Sequence, residues 1–290
     1  MTAPLRHVSD TALWVAMYRA LESERPDALF RDPWARGLAG SRGAEILRTV
    51  PRARSFGWPM VVRTAVMDEI ILRCVARGTR TVINLAAGLD TRAFRLGLPP
   101  DLRWFDVDLP EMTTYRREQL AAARAVCLHE DVAADLTEAS ALDGVLSRVR
   151  RGEEAELVIT EGLLVYLSED RVAALSRRLR AEAGIRWWLT DLGTPLLLEM
   201  LKKKWQAHLT AANAPMQFAP AEGTGFFTPL GWHEEEFRST WDESLRLKRT
   251  VPLAGLWTLL GKLRSKKTQE AYRKMSGIVL LGRAQAAGES

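Results

Sequence analysis

RTVINLAAGLDTRAFRL, from Arg80 to Leu96, decides the fold. Thr81 to Leu85 is a short β-branched and apolar run, and it stops at Ala86-Ala87-Gly88, where small side chains let the backbone turn sharply and approach a ligand. Asp90 and Thr91 follow where a helix should begin, and both residue types favour N-caps because their oxygens accept orphan backbone N–H groups. Strand, small-residue turn and helix make the first unit of a nucleotide-binding, doubly wound α/β fold.

The turn excludes several ligands. A dinucleotide fingerprint needs three spaced glycines, and only Gly88 is present; the chain also has no glycine-rich phosphate loop ending in Gly-Lys-Ser/Thr. Of the common ligands of this geometry that leaves S-adenosylmethionine, which has a ribose and an adenine but no phosphate. The next unit agrees. Arg103 to Val107 reads as a second strand ending at Asp108, about twenty residues past Gly88, the usual separation for a carboxylate that takes ribose hydroxyls. Asp106 competes for that role, and Pro110 is placed to open the next helix.

Arg63 in VVRTAVMDE, the AAGLDTRAFRL turn, FDVDLP, and TEGLLVYLSED from Thr160 to Asp170 together resemble the leucine carboxyl methyltransferase family. The chain is more similar to its bacterial branch, which includes polyketide O-methyltransferases, and the resemblance runs from about Ser9 to Arg283. It implies a class I methyltransferase sheet of seven strands in the order 3-2-1-4-5-7-6 with an antiparallel last strand, and S-adenosylmethionine as cofactor. It also implies that Arg63 holds the cofactor's carboxylate, with Arg19 as a further basic candidate; that Ala87, Gly88 and Asp108 form the ribose end; that Asp135 and Leu136 meet adenine; and that Glu161 contacts the cofactor. Without the resemblance, Arg63 reads as an exposed helix residue and Asp135 as a cap of the helix near Ser140, with Asp131 an alternative for adenine.

Composition sets outer limits. An apolar fraction of 47% suits a globular chain. No apolar run reaches the ~18 residues of a membrane span, and the N-terminus lacks a charged-then-apolar leader, so a cytoplasmic protein is expected. The two cysteines, Cys74 and Cys127, sit in apolar segments without metal-ligand spacing and read as reduced core thiols. A net charge of +5 raises nucleic acid, but the basic residues fall in separate clusters (202–204, 246–249, 262–267) without interleaved aromatics; solvated helix faces are the reading, and no nucleic-acid partner is expected.

Residues 1–77 read as an N-terminal helical cap and 78–290 as the cofactor-binding core. In the cap, Ser9 or Asp10 starts one helix, Asp32-Pro33 another, and Pro51 to Arg77 holds a third. In the core, a helix is expected from Glu111 to Ala125, strands at Ala125–His129, Glu156–Thr160 and Ile185–Thr190, and a turn at Leu163–Leu167 before a helix capped by Ser168. Trp187 and Trp188 should point to opposite faces of a sheet covered on both sides. Trp232–Trp241 reads as a helix, and Ser244–Thr250 and Gly277–Arg283 as the closing strands.

An insertion at about 195–230, a long helix followed by a Pro- and Gly-rich stretch, reads as a lid with Met216, Phe218, Phe226 and Phe227 lining an acceptor site. A surface loop pinned by aromatic anchors is the alternative. Leu253–Lys274, with its apolar and lysine faces, reads as a second piece of lid or a membrane-surface helix.

The expected reaction is O-methylation of a carboxylate or hydroxyl on a small molecule, such as a polyketide. A carboxylate is already ionised at neutral pH, whereas a phenol or alcohol needs a base. Tyr166, His208 and His233 are the weak candidates for that base; Tyr166 reads more readily as a structural hydroxyl, and each histidine, His129 and His7 included, as structural or exposed. No metal is expected, the acids near Asp191 having no specific ligand spacing. A protein C-terminal carboxyl methyltransferase and a non-catalytic S-adenosylmethionine-binding module are the competing functions.

Overall fold

A computed structural model of the chain describes residues 8–49, 57–149, 156–211, 215–251 and 265–284. Its strands are β1 (Thr81–Leu85), β2 (Arg103–Asp108), β3 (Leu128–Ala133), β4 (Glu156–Thr160), β5 (Ile185–Gly193), β6 (Trp232–Ser239) and β7 (Ser276–Arg283). They form one seven-stranded sheet in the order β3-β2-β1-β4-β5-β7-β6. The first five pair in parallel, while β7 lies antiparallel to both β5 and β6. This is the order the resemblance implies. β1 and β4 match their expected ranges residue for residue, and every residue of both is buried, as their unbroken apolar runs require.

The helices α1 (Val8–Ser23), α2 (Ala35–Thr49) and α3 (Trp58–Ala76) precede β1, and α4 (Arg92–Arg95) is a single turn after it. Then come α5 (Pro110–Gln119), α6 (Ala139–Val149), α7 (Glu169–Ala181), α8 (Pro195–Ala211), α9 (Thr240–Arg246) and α10 (Lys266–Arg273). Two apolar layers flank the sheet. Val82, Trp104, Leu157 and Trp187 pack with Met17, Leu38, Val66 and Ile70 of the first three helices. Ile83, Phe105, Val158 and Trp188 pack with Val145 of α6 and Leu179 of α7. Adjacent strand residues thus serve opposite layers, and Trp187 and Trp188 divide as expected.

Several boundaries differ. The third strand begins at Leu128, three residues later than expected, because pairing with β2 joins Leu128 to Arg103 and Asp131 to Asp106. LHEDVA is an edge strand with a weak apolar pattern, so the preceding Ala-Val-Cys misled the reading. Trp232–Ser239, expected as a helix, is instead β6. Its three consecutive glutamates favour a helix locally, but antiparallel pairing with β7 fixes it as a strand, with a register shift between Glu234 and Glu236. Ser239 then caps α9 by accepting the Asp242 N–H at 3.3 Å, so the strand expected at Ser244–Thr250 begins within a helix. The helix before β3 ends at Gln119 rather than Ala125. Ser9 and Asp10 lie within α1 rather than ahead of it, and Asp10 pairs with Arg42 at 2.8 Å. Asp32 does open α2, its Oδ1 accepting the Ala35 N–H at 3.0 Å. Of the expected helix at 253–274, residues 253–264 lie outside the described residues.

Candidate active site

The turn after β1 is held in an unusual backbone conformation. Ala86 and Gly88 both have positive φ, 55° and 54°. For alanine this costs about 1 kcal/mol or more and marks a position where shape is worth strain. The Gly88 N–H donates to Asp108 Oδ2 at 2.6 Å, and the other Asp108 oxygen accepts the Leu109 N–H at 2.8 Å. Burial pushes the Asp108 carboxyl up, the two amide bonds opposing it. The next carbonyls are gripped from two directions: Gly88 O accepts from Arg116 Nη1 at 3.0 Å and Leu89 O from Arg19 Nη2 at 2.5 Å.

A second polar group forms where β4 and β5 end. Glu161 Oε1 accepts from Arg63 Nε at 2.9 Å and Oε2 from Arg92 Nη1 at 2.7 Å. Arg63 Nη1 also donates to Asp191 Oδ2 at 3.2 Å, and Asp191 Oδ1 accepts the Gly162 N–H at 2.6 Å. Burial alone would raise the Glu161 carboxyl, but the guanidinium groups of Arg92 and Arg63 outweigh it and hold it at about 2. Arg92 is anchored in turn by Asp68 and Asp90, each at 2.6 Å.

Both groups open onto one cleft of about 1190 Å³. Its polar lining includes Arg19, Arg63, Asn84, Asp90, Asp108, Glu161 and Asp191. The rest of its lining is largely apolar and aromatic, including Trp14 and Tyr18 on α1, Trp58 on α3, Leu197 and Leu201 on α8, Met216, Phe218, and Trp241 on α9. Trp58 and Trp241 meet edge to face at 6.2 Å between centroids.

Arg19, Arg63, Ala87, Gly88, Asp108, Glu161 and Tyr166 therefore come together on this cleft, from five separate parts of the chain. Burial raises the Tyr166 hydroxyl, which hydrogen-bonds to Thr11. Asp106 is separated from Asp108: it is buried away from the cleft lining and accepts from Asn84 Nδ2, Trp104 Nε1 and the His129 ring, each at 2.9 Å.

Other candidates do not line the cleft. Asp135 accepts the Thr137 N–H at 2.9 Å beyond the tip of β3, and Leu136 packs on the second apolar layer. Phe227 is fully buried, edge to face with Trp188 at 5.2 Å, and Phe226 meets Phe218 and Phe227 edge to face. Of the four residues expected to line the acceptor site from the lid, Met216 and Phe218 line the cleft. His233 is on β6 with its ring 3.4 Å from Glu235, and His129 is tied to Asp106. The His208 side chain and all of His7 lie outside the described residues.

Asp106, His129 and Asp131 bring potential ligand atoms within 4.8 Å of one another. Arg116 already reaches into that group, donating to Asp131, so the positive charge there is a guanidinium. Asp191, the other acid considered for a metal, is likewise committed to Arg63. The sequence reading missed Arg92, Asp68 and Arg116 as parts of the site. Arg92 stands in the quoted turn itself, but its partners Asp68 and Glu161 arrive from α3 and β4.

A sheet of this order, with a cleft at the carboxyl ends of its parallel strands and an acid closing β2, defines the class I methyltransferase fold. The chain belongs to the leucine carboxyl methyltransferase family, whose model matches residues 12–180. A relative from Frankia alni, named provisionally as an S-adenosyl-L-methionine-dependent methyltransferase, is 36% identical over 240 residues, covering 78% of this chain and 83% of its own. A Streptomyces coelicolor relative with the same kind of name is 36% identical over 239 residues, covering 77% and 82%. Among solved structures, a DUF574 family protein from Streptomyces avermitilis shares the fold with a TM-score of 0.59 at 16% identity, over 93% of this chain and 97% of that one. No helix among the described residues is long and apolar enough to cross a membrane.

Proposed function

We propose that this protein transfers a methyl group from S-adenosyl-L-methionine to a carboxylate or hydroxyl oxygen of a small, largely apolar molecule, such as a polyketide or other secondary metabolite. The carrying observation is that one large cleft is lined both by the charged residues of the Gly88 turn and the Glu161 group and by a set of apolar and aromatic side chains. Its volume of about 1190 Å³ exceeds the ~300–1,000 Å³ of a typical one-ligand pocket, which suits a cofactor and an acceptor side by side.

The donor set fits the cofactor. Asp108 is placed to accept ribose hydroxyls beside the Gly88 turn. Arg63 spends Nε and Nη1 on Glu161 and Asp191, which leaves Nη2 for a carboxylate, and Arg19 spends Nε and Nη2 on Asp32 and Leu89, which leaves Nη1. Glu161, held ionised by Arg92 and Arg63, and the neighbouring Asp191 side chain offer acceptors for an ammonium. When bound, the cofactor supplies an activated methyl group on a positively charged sulfur. The residues of the chain then have to hold the acceptor oxygen in line and keep water out, and the apolar and aromatic lining serves both ends. On this reading residues 1–77 cap the cofactor and the segment about 195–230 is a lid, with Met216 and Phe218 against the acceptor. Tyr166 orients rather than deprotonates, because its hydroxyl is held neutral by burial.

Calorimetric titration with S-adenosylmethionine, S-adenosylhomocysteine and NAD at two salt concentrations tests the first half. Binding of the sulfur ligands alone is expected. Radiolabelled methyl transfer to apolar carboxylic acids, phenols and peptides with free C-termini tests the second. Labelled peptide would replace the small-molecule reading with a protein acceptor, and binding without any transfer would leave a non-catalytic module.

A further inference from the structure

We propose that Asp32 is a positioning residue for cofactor binding: without touching the cleft, it orients Arg19 and clamps the N-terminal helix onto the turn after β1. This role rests on the cofactor reading given above. Asp32 is 3% exposed and lies in the loop between α1 and α2.

Its two oxygens do different work. Oδ1 is local, accepting the Trp34 and Ala35 N–H groups at 3.2 and 3.0 Å and so capping α2. Oδ2 is tertiary, accepting from Arg19 Nε at 2.9 Å and from Thr91 Oγ1 at 2.7 Å. The backbone N–H of Asp32 donates to Ser23 Oγ at 2.8 Å, which fixes the loop to the end of α1.

Arg19 closes the ring. Its Nη2 donates to the carbonyl of Leu89, two residues before Thr91, so Asp32, Arg19 and the 89–91 segment form one closed circuit of hydrogen bonds. Arg19, Leu89 and Thr91 are 7%, 2% and 1% exposed, so water cannot easily replace a missing partner. The circuit holds two edges of the Arg19 guanidinium on protein and presents the rest to the cleft. It also pins the backbone directly after Gly88. If Oδ2 loses its charge, the long Arg19 side chain regains rotamer freedom and Thr91 loses its acceptor. The ligand-binding wall then loosens although every residue facing the ligand is unchanged.

The test is calorimetric titration of S-adenosylhomocysteine into the full chain as wild type, Asp32→Asn, Arg19→Lys, the double variant and Thr91→Val. Asparagine keeps an oxygen for capping α2, so it removes the tertiary charge more than the local cap. Asp32→Asn and Arg19→Lys should each weaken binding about tenfold, the scale of a charge-assisted hydrogen bond. The double variant should be no weaker than the poorer single, since both break the same circuit. Thr91→Val, with the α2 cap and Arg19 intact, should weaken binding several-fold, and it carries the test if Asp32→Asn does not fold. Wild-type affinity in Asp32→Asn or in Thr91→Val, or losses that add in full, would overturn the role while leaving the cofactor reading intact. A wild type that binds no S-adenosylhomocysteine would overturn both.

Discussion

Asp108 Oδ2 accepts the backbone N–H of Gly88 at 2.6 Å, and this bond joins the tips of β2 and β1 where the cleft begins. In the proposed function the same carboxylate takes the ribose hydroxyls. Asp108→Ala should therefore raise the Kd for S-adenosylhomocysteine by about 10- to 100-fold, the range for losing a charged hydrogen-bond partner. Asp108→Asn, which still accepts the amide, should lose less. Calorimetry checks both, and unchanged affinity in the alanine variant would remove Asp108 from the site.

Glu161 makes the site sensitive to acid. Its carboxyl is lowered from 4.5 to about 2, so its ionised form stabilises the fold above pH 4.5, and that contribution is lost as the pH falls towards 2. Glu161→Gln leaves Arg63 and Arg92 without their shared partner and should cost on the order of 2–3 kcal/mol at neutral pH. Denaturant titrations at pH 7, 4 and 3 should show the gap to wild type narrowing in acid. A gap constant across that range would mean the ion pairs contribute little.

Gly162 sits at φ 65°, and a Cβ there would lie 3.2 Å from Arg63 Nη1. Gly162→Ala combines left-handed strain of about 1–2 kcal/mol with displacement of that guanidinium. Its loss of cofactor affinity should approach that of Arg63→Ala, about tenfold or more. Titrating the two variants side by side checks this; an alanine at 162 that binds like wild type would show that Arg63 can shift freely.

The aromatic residues near the lid should separate by function. Phe227→Ala empties a fully buried position against Trp188 and should cost about 3–5 kcal/mol in denaturant unfolding. Met216→Ala, on the cleft wall, should leave stability nearly unchanged and raise the KM of the acceptor. Equal destabilisation by both would place Met216 in the core.

Cys74 and Cys127 are both buried, and burial pushes each thiol up to about 11. Neither should react with a thiol reagent at pH 8 in the native protein, and both should react once it is denatured. Fast native labelling of either would contradict the packing.

Much of the sheet was legible because fully buried parallel strands are written as uninterrupted apolar runs. TVINL and ELVIT depend on no partner for their recognition, and the turn at Ala86–Gly88 announces itself by its small residues. Edge strands lack that signature. LHEDVA and WHEEEFRS each have an exposed side, so local propensity favoured other boundaries or a helix, and only pairing with β2 or β7 decided their state.

The site divides in the same way. Asp108, Gly88 and Glu161 follow from their own strands, since a residue at the carboxyl end of a parallel strand is delivered to the cleft by the strand itself. Arg63 and Arg19 were reached by resemblance, not by pattern. What the tertiary structure alone decided is how these charges are shared: which acid Arg63 and Arg92 hold in common, why Asp106 turns inward to His129 while Asp108 faces the cleft, and why Phe218 reaches the cleft from the same core in which Phe227 is sealed. Those outcomes depend on distances between segments far apart in the chain, and a one-dimensional pattern carries periodicity and turn chemistry but no such distances.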